Sequence, residues 1–479
     1  MARFPRMLRA PGALIVAAAI AGSGIASSGC GDNIQPQGLT SDELLARLRA
    51  LPGVTADLAP TEQTDFQYYV LHFEQPVDHD DPSQGTFLQE VSLLHRSSLA
   101  TVPMIVQTSG YTDYYLDRPV ELTKLLGANQ VSIEHRYYGA SRPVPTDWTK
   151  LTIEQMAADE HAIIVALRTI YGGAFVTTGG SKGGLTAVAH RRFYPDDVDG
   201  TVAYVAPLTL GAPDARYGAF ATMADPGGCR QAVRDVATQM ILRRDAMQAR
   251  AALQTSHTYT RVAIGPAVEA AIVSLEWTFW QYFGVAQCAN VPAVTASDDE
   301  LFAFLDKVSP VWDDDDEQIG YFEAYYYESE AQLGYPEVDV AYLQPYQKYG
   351  EDAYANMLPA PEPAYSREWA TDIETFVTVR GDRLLFIYGE WDPWTLGKFV
   401  LGVAKDSDAL TQPQGTHGAR LESLAPEDRD EAFAMLEAWT GVVPVTSQAR
   451  RSGGHDNDST DPPPPHLPPP LLYALRAQK

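Results

Sequence analysis

The sequence predicts an α/β fold whose mostly parallel sheet is interrupted by a large helical insertion, and three observations carry that reading. Short apolar runs of β character recur at 104–108, 130–133, 175–178, 202–206 and 384–388, with helical patterns at 153–171 and 185–193 between the earlier ones. Uniformly apolar strands alternating with helices belong to a parallel sheet covered on both faces. The alternation breaks at Pro207, and sheet character returns only at Leu384, so residues 208–373 read as an inserted helical cap. Finally, Gly179-Gly180-Ser181-Lys182-Gly183 matches G-x-S-x-G between a β run and a helical run, the strand–turn–helix setting of a nucleophile elbow.

Taken in order, residues 1–30 read as a leader. Arg3, Arg6 and Arg9 precede a short apolar run over 13–20, then small residues and Cys30. Such a run is too short for a permanent membrane span and has the layout of an export signal. Ser27-Ser28-Gly29-Cys30 resembles a bacterial lipobox, with Ser27 where Leu or Val is usual. Acylation of Cys30, giving membrane attachment, is therefore expected, with secretion in soluble form as the alternative. Residues 31–64 read as a polar linker carrying one helix over 41–50, capped by Ser41. Strand patterns at 68–73 and 87–94 open the first part of the core, 65–207; its second part is 374–442. The Pro-rich stretch 443–479 reads as a disordered tail.

Composition narrows the function. With 479 residues, 45% apolar, the chain has material for a large catalytic domain with an insertion. A net charge of −27 repels nucleic acid. Beyond Cys30 only Cys229 and Cys288 remain, and an isolated pair in an oxidising compartment reads as a disulfide, two buried thiols being the alternative. No HExxH, Cys/His cluster or phosphate-binding glycine loop indicates a metal or nucleotide cofactor. The acidic run 313–317 reads as a solvated loop, with a cation-binding site as the alternative.

The chemistry gathers around Ser181. A serine hydroxyl needs a base, and the base needs an orienting carboxylate. The apolar strand 384–388 runs into Gly389-Glu390-Trp391-Asp392-Pro393-Trp394, placing an acid just past a strand end; Asp392 is preferred and Glu390 is its rival. Downstream, Gly415-Thr416-His417-Gly418 ends a β-like run, and only His455 and His466 follow it, both in the tail. The order Ser181, Asp392, His417 is that of the α/β-hydrolase fold, here with its cap inserted before the acid. His135, at a strand end, reads as a buried structural histidine. The Lys182 backbone amide at the start of the elbow helix is one oxyanion donor, and the loop after 104–108 supplies the second from Gly110 or Tyr111.

Three segments resemble the secreted prolyl tri/tetrapeptidyl aminopeptidases, serine peptidases of bacteria: Glu134-His135-Arg136-Tyr137-Tyr138-Gly139, Gly179–Gly184 and Gly389–Trp394. The segment Phe73-Glu74-Gln75-Pro76-Val77-Asp78-His79 and the Glu134–Gly139 stretch also resemble the lysosomal Pro-Xaa carboxypeptidases, which typically carry Tyr where this chain has Lys182. The resemblance spans about 65–439. It implies cleavage of peptide substrates after proline near a free N-terminus, with the triad on Ser181, Asp392 and His417. A proline pocket needs aromatic walls. The insertion offers Trp277, Phe279, Trp280 and the tyrosines 325–327, Tyr326 among them. Holding an α-ammonium needs a carboxylate, and Glu323, Glu328 and Glu330 stand beside those tyrosines. Two rival readings share the sequence. An esterase or lipase would use the same triad, and a silent surface-binding lipoprotein would leave it idle.

Overall fold

The computed structural model describes residues 38–223, 225–359 and 361–452. The leader with Cys30, residues 31–37 of the expected linker, and residues 453–479 of the expected tail lie outside them. Among the described residues no helix is long and apolar enough to cross a membrane.

Nine strands form one sheet: β1 (Val54–Ala59), β2 (Gln67–Pro76), β3 (Thr86–His95), β4 (Met104–Thr108), β5 (Asn129–Ile133), β6 (Phe175–Gly180), β7 (Gly200–Tyr204), β8 (Leu384–Gly389) and β9 (Asp408–Gln412). Their order is β1-β2-β3-β5-β4-β6-β7-β8-β9. The first four in that order pair antiparallel, and from β5 onward every pairing is parallel. This is the α/β-hydrolase arrangement.

Helices close both faces. On one, Leu44 and Leu48 of α1 (Ser41–Arg49) and Ile163 and Ile164 of α3 (Ile153–Arg168) meet Val106 and Val131. On the other, Leu122 and Leu125, from α2 (Glu121–Leu126), and Leu436, from the late helix Pro426–Thr440, meet Val176, Val202 and Ile387. β4, β5, β7 and β8 are buried along their whole length because both their faces are covered. Helix α4 (Lys182–Phe193) follows β6 directly.

Two expectations for the N-terminal segment need correction. Residues 31–64 are not all linker: β1 pairs with β2 over Val54–Ala59. Its burial alternates, as an edge strand with one solvated face requires, so no apolar run announces it. Thr40, not Ser41, caps α1. Its hydroxyl accepts from the Glu43 amide at 3.3 Å while the Glu43 carboxylate accepts from the Thr40 amide at 2.9 Å. That reciprocal pair satisfies two otherwise orphaned donors.

Between β7 and β8 the chain leaves the sheet for α5 (Cys229–Leu242), α6 (Arg244–Ala251), α7 (Ile264–Thr278), α8 (Asp298–Val308), α9 (Asp316–Glu328) and α10 (Glu368–Thr375). Three π-helical turns, Phe279–Phe283, Ser329–Leu333 and Phe376–Arg380, extend α7, α9 and α10. The apolar interior of this insertion is continuous with Leu185, Val188 and Ala189 of α4 and with Ala203 and Phe386 of the sheet, so the cap and the sheet share one core.

Candidate active site

The parallel strands β6, β8 and β9 deliver Ser181, Asp392 and His417 to the same edge of the sheet, just past their C-terminal ends. Ser181 has φ +55° and ψ −124°, a conformation non-glycine residues rarely adopt. Strain of this kind persists only where the surroundings over-determine it. Here the Ser181 amide donates to the Tyr204 carbonyl at 2.8 Å, and its own carbonyl accepts the first bond of α4 from Leu185 at 3.0 Å. Gly183 is required beside it, because a Cβ there would lie 2.4 Å from the Thr108 carbonyl oxygen and 2.8 Å from that of Ser109.

His417 is oriented on three sides. Its Nδ1 meets Asp392 Oδ2 at 2.6 Å, its amide donates to the Gln281 carbonyl at 2.7 Å, and the Tyr282 ring stands edge-on at 6.0 Å. Its Nε2 is buried and has no hydrogen-bond partner among the described residues. Asp392 is fully buried, and its other oxygen caps the turn Pro393–Gly397 by accepting from the Trp394 amide at 3.1 Å. Glu390, the rival acid, is exposed; it accepts from the Gln414 amide at 2.7 Å and so braces the histidine loop from outside. Of the two carboxylates, Asp392 is the one in contact with the imidazole.

The loop after β4 lies directly against the elbow. A Cβ on Gly110, which has φ +74°, would come within 2.6 Å of the Gly183 amide nitrogen. The Lys182 amide opens α4, whose N-terminus favours developing negative charge. Of the two candidates for the second donor, the Tyr111 amide already donates to Ser109 Oγ at 3.2 Å, whereas the Gly110 amide has no acceptor among the described residues. Beneath this loop, burial pushes the Asp113 carboxyl up to about 6 although Ser132 donates to it at 2.7 Å.

The predicted substrate-binding residues fare differently. Glu323 is not free to hold an ammonium: Arg142 and Arg261 pair with it. Glu328 is buried against the Lys182 ammonium at 3.0 Å. Glu330 is half-buried in the second π-turn. Trp277 is fully buried between Tyr217, Phe220 and Trp394, which makes it core rather than pocket wall. Tyr326 is likewise buried, near Asp313 and Asp314. The acidic run is also not the solvated loop expected, since Asp313, Asp314 and Asp315 are all buried.

Several residues support the site in roles that the sequence does not single out. Gln281 acts through its backbone carbonyl, which any residue could present. Trp280 stacks on Trp391 at 5.1 Å, fastening the first π-turn to the acid's loop. Arg136, inside the segment that carried the resemblance, is wholly buried and grips Asp159 through two bonds, at 2.6 and 2.8 Å. Its neighbour His135 hydrogen-bonds the Arg136 carbonyl at 2.8 Å through Nδ1, and burial holds its pKa well below the usual histidine range.

A serine at positive φ after a parallel strand, with an Asp–His pair brought to the same edge, defines a serine hydrolase of the α/β-hydrolase class. The family model of PS-10 peptidase S37 matches residues 40–461, and the chain belongs to that family of serine peptidases. It is 36% identical over 437 residues to a prolyl tri/tetrapeptidyl aminopeptidase of Streptomyces mobaraensis, covering 89% of this chain and 90% of that protein. A lysosomal Pro-X carboxypeptidase of Mus musculus is 32% identical over 186 residues, covering 34% of this chain and 37% of that protein. Among solved structures, Rv0554 from Mycobacterium tuberculosis is 15% identical with a TM-score of 0.38, over 78% of this chain and 99% of that one.

Proposed function

We propose that this peptidase removes short peptides from the free N-terminus of its substrates by cutting after proline, with Ser181 as nucleophile. The observation that carries the catalytic reading is the His417–Asp392 contact, which leaves the buried Nε2 without a partner on the edge that bears Ser181. Ser181 Oγ attacks the scissile carbonyl as its proton passes to His417 Nε2, and Asp392 stabilises the imidazolium. The Lys182 and Gly110 amides receive the oxyanion. Collapse expels the amine, which takes the proton from His417, and water then releases the acyl group by the same steps in reverse. The substrate class rests on the similarity to the Streptomyces protein, which extends over nearly the full length of both chains.

The decisive comparison is a Pro-containing tripeptide or tetrapeptide amide against its N-acetylated twin. Acetylation removes the ammonium and leaves the scissile bond alone, so kcat/KM should fall tenfold or more, about 1.4 kcal/mol. Equal rates would sink the aminopeptidase reading, and equal rates with Ala in place of Pro would sink the proline pocket.

The leader supports export, with Cys30 acylated. A Cα separation of 5.5 Å supports a disulfide between Cys229 and Cys288 in that compartment. A palmitate analogue should label the wild type but not Cys30→Ser, and non-reducing peptide mapping should find the two downstream cysteines linked. An unlabelled wild type argues for a soluble secreted form, and free thiols would refute the bridge.

A further inference from the structure

The residue after Ser181 carries more than a backbone amide. The Lys182 side chain is 3% exposed and turns back over the elbow. Its ammonium donates to the Gly110 carbonyl at 2.6 Å and meets Glu328 Oε2 at 3.0 Å. It also lies over the rings of Tyr138 and Tyr111, at 5.0 and 5.4 Å from their centroids. The same Glu328 oxygen accepts from the Tyr138 hydroxyl at 3.0 Å. One cation therefore joins the elbow helix, the loop after β4, the loop after β5 and the last residue of α9 in the cap.

We propose that the Lys182 ammonium is a positioning group for the oxyanion site, and that Glu328 makes its placement depend on the docked cap. The two expected oxyanion donors come from separate segments, α4 and the loop after β4. Bound to the Gly110 carbonyl, the Lys182 side chain sets the distance between those segments from the residue that supplies the first donor. A buried ammonium is tolerable only when paired. Burial pulls Lys182 below the usual lysine range, and Glu328 is the principal group opposing that shift. Because Glu328 ends α9, an undocked cap would leave the ammonium without its counter-ion and the Gly110 loop without its tether. α9 holds that loop elsewhere too: Tyr321 hydrogen-bonds Thr112, and Phe322 and Tyr325 pack on Tyr111 at 5.8 and 5.9 Å. Interactions made only in the transition state raise kcat rather than lower KM, so the cap would act on the chemical step as well as on substrate selection.

This inference rests on Ser181 being the nucleophile, and the test keeps the two apart. A fluorophosphonate should label wild type and variants stoichiometrically at Ser181; a wild type unlabelled there defeats the nucleophile assignment and the inference with it. The variants are Glu328→Gln and the pair Lys182→Met with Glu328→Gln. The pair removes both buried charges together, which is often neutral for stability where loss of one is not. It should keep a Tm near that of the wild type while kcat falls tenfold or more with KM within about twofold. A peptide aldehyde, whose adduct presents an oxyanion, should lose affinity in parallel with kcat/KM, whereas a product peptide should bind as before. Wild-type kcat in the folded double variant would overturn the proposal, as would a loss confined to KM.

Discussion

At the scale of single residues, the site turns on which carboxylate meets the histidine. Asp392 and Glu390 are two positions apart, yet one is buried against His417 Nδ1 and the other is solvent-facing. Asp392→Asn keeps the shape but presents an amide to the imidazole, favouring the wrong tautomer, so kcat should fall by about 10³-fold or more. Glu390→Gln retains an acceptor for the Gln414 amide and should cost only a few-fold. Steady-state kinetics on the two variants decide the matter, and a larger loss from Glu390→Gln would reverse the roles. The ambiguity existed because both acids lie just past the same strand, where sequence shows proximity to the site but not the turn. The Pro393–Gly397 turn, which Asp392 caps, is what turns its side chain inward.

At the scale of elements, the strands easiest to read were those with both faces covered. β4 and β6 stand out as apolar runs because helices lie above and below them. β1 was hidden by its half-solvated pattern, and the short run of β9 showed as β-like only near its end. The insertion was visible as a loss of strand character, but its inward-facing side chains were not assignable. Aromatic residues serve equally as pocket wall and as core, and Trp277 falls in the core because Tyr217 and Trp394 close over it. The carboxylates near the tyrosines met a similar fate. Glu323 and Glu328 lie on α9, but their partners Arg142 and Lys182 come from loops and helices far away in sequence. Periodicity along one helix carries no information about such partners.

At the scale of the whole molecule, the acidic run entering α9 couples folding to pH. Burial, with Asp315 adding to it, pushes the Asp314 carboxyl up to about 8. In the unfolded chain an aspartate loses its proton near pH 4, so between about 4 and 8 the native state holds a proton that the unfolded state has released. Stability from this group is complete below the lower value and is lost as pH rises through the upper one. Asp314→Asn removes that titration. Thermal unfolding from pH 5 to pH 8 should show a smaller fall in Tm for the variant, which should be the more stable protein at pH 8. Parallel curves would disprove it. Asp313, also raised by burial, leaves part of the slope in place.

By itself the sequence determined the sheet's central strands, the interruption of the sheet by a cap, the elbow and the chain order of serine, acid and histidine. Each of these is local: burial on two faces, a glycine-spaced turn, or a residue's position relative to a strand end leaves its mark within a few residues. Only the tertiary structure decided which carboxylates were already paired, which aromatics were sealed in the core, and that Lys182, Gly110 and Glu328 meet around one buried charge. Those outcomes depend on side chains from distant segments competing for the same partners in a low-dielectric interior. There, an unpaired charge is costly enough to dictate its neighbour.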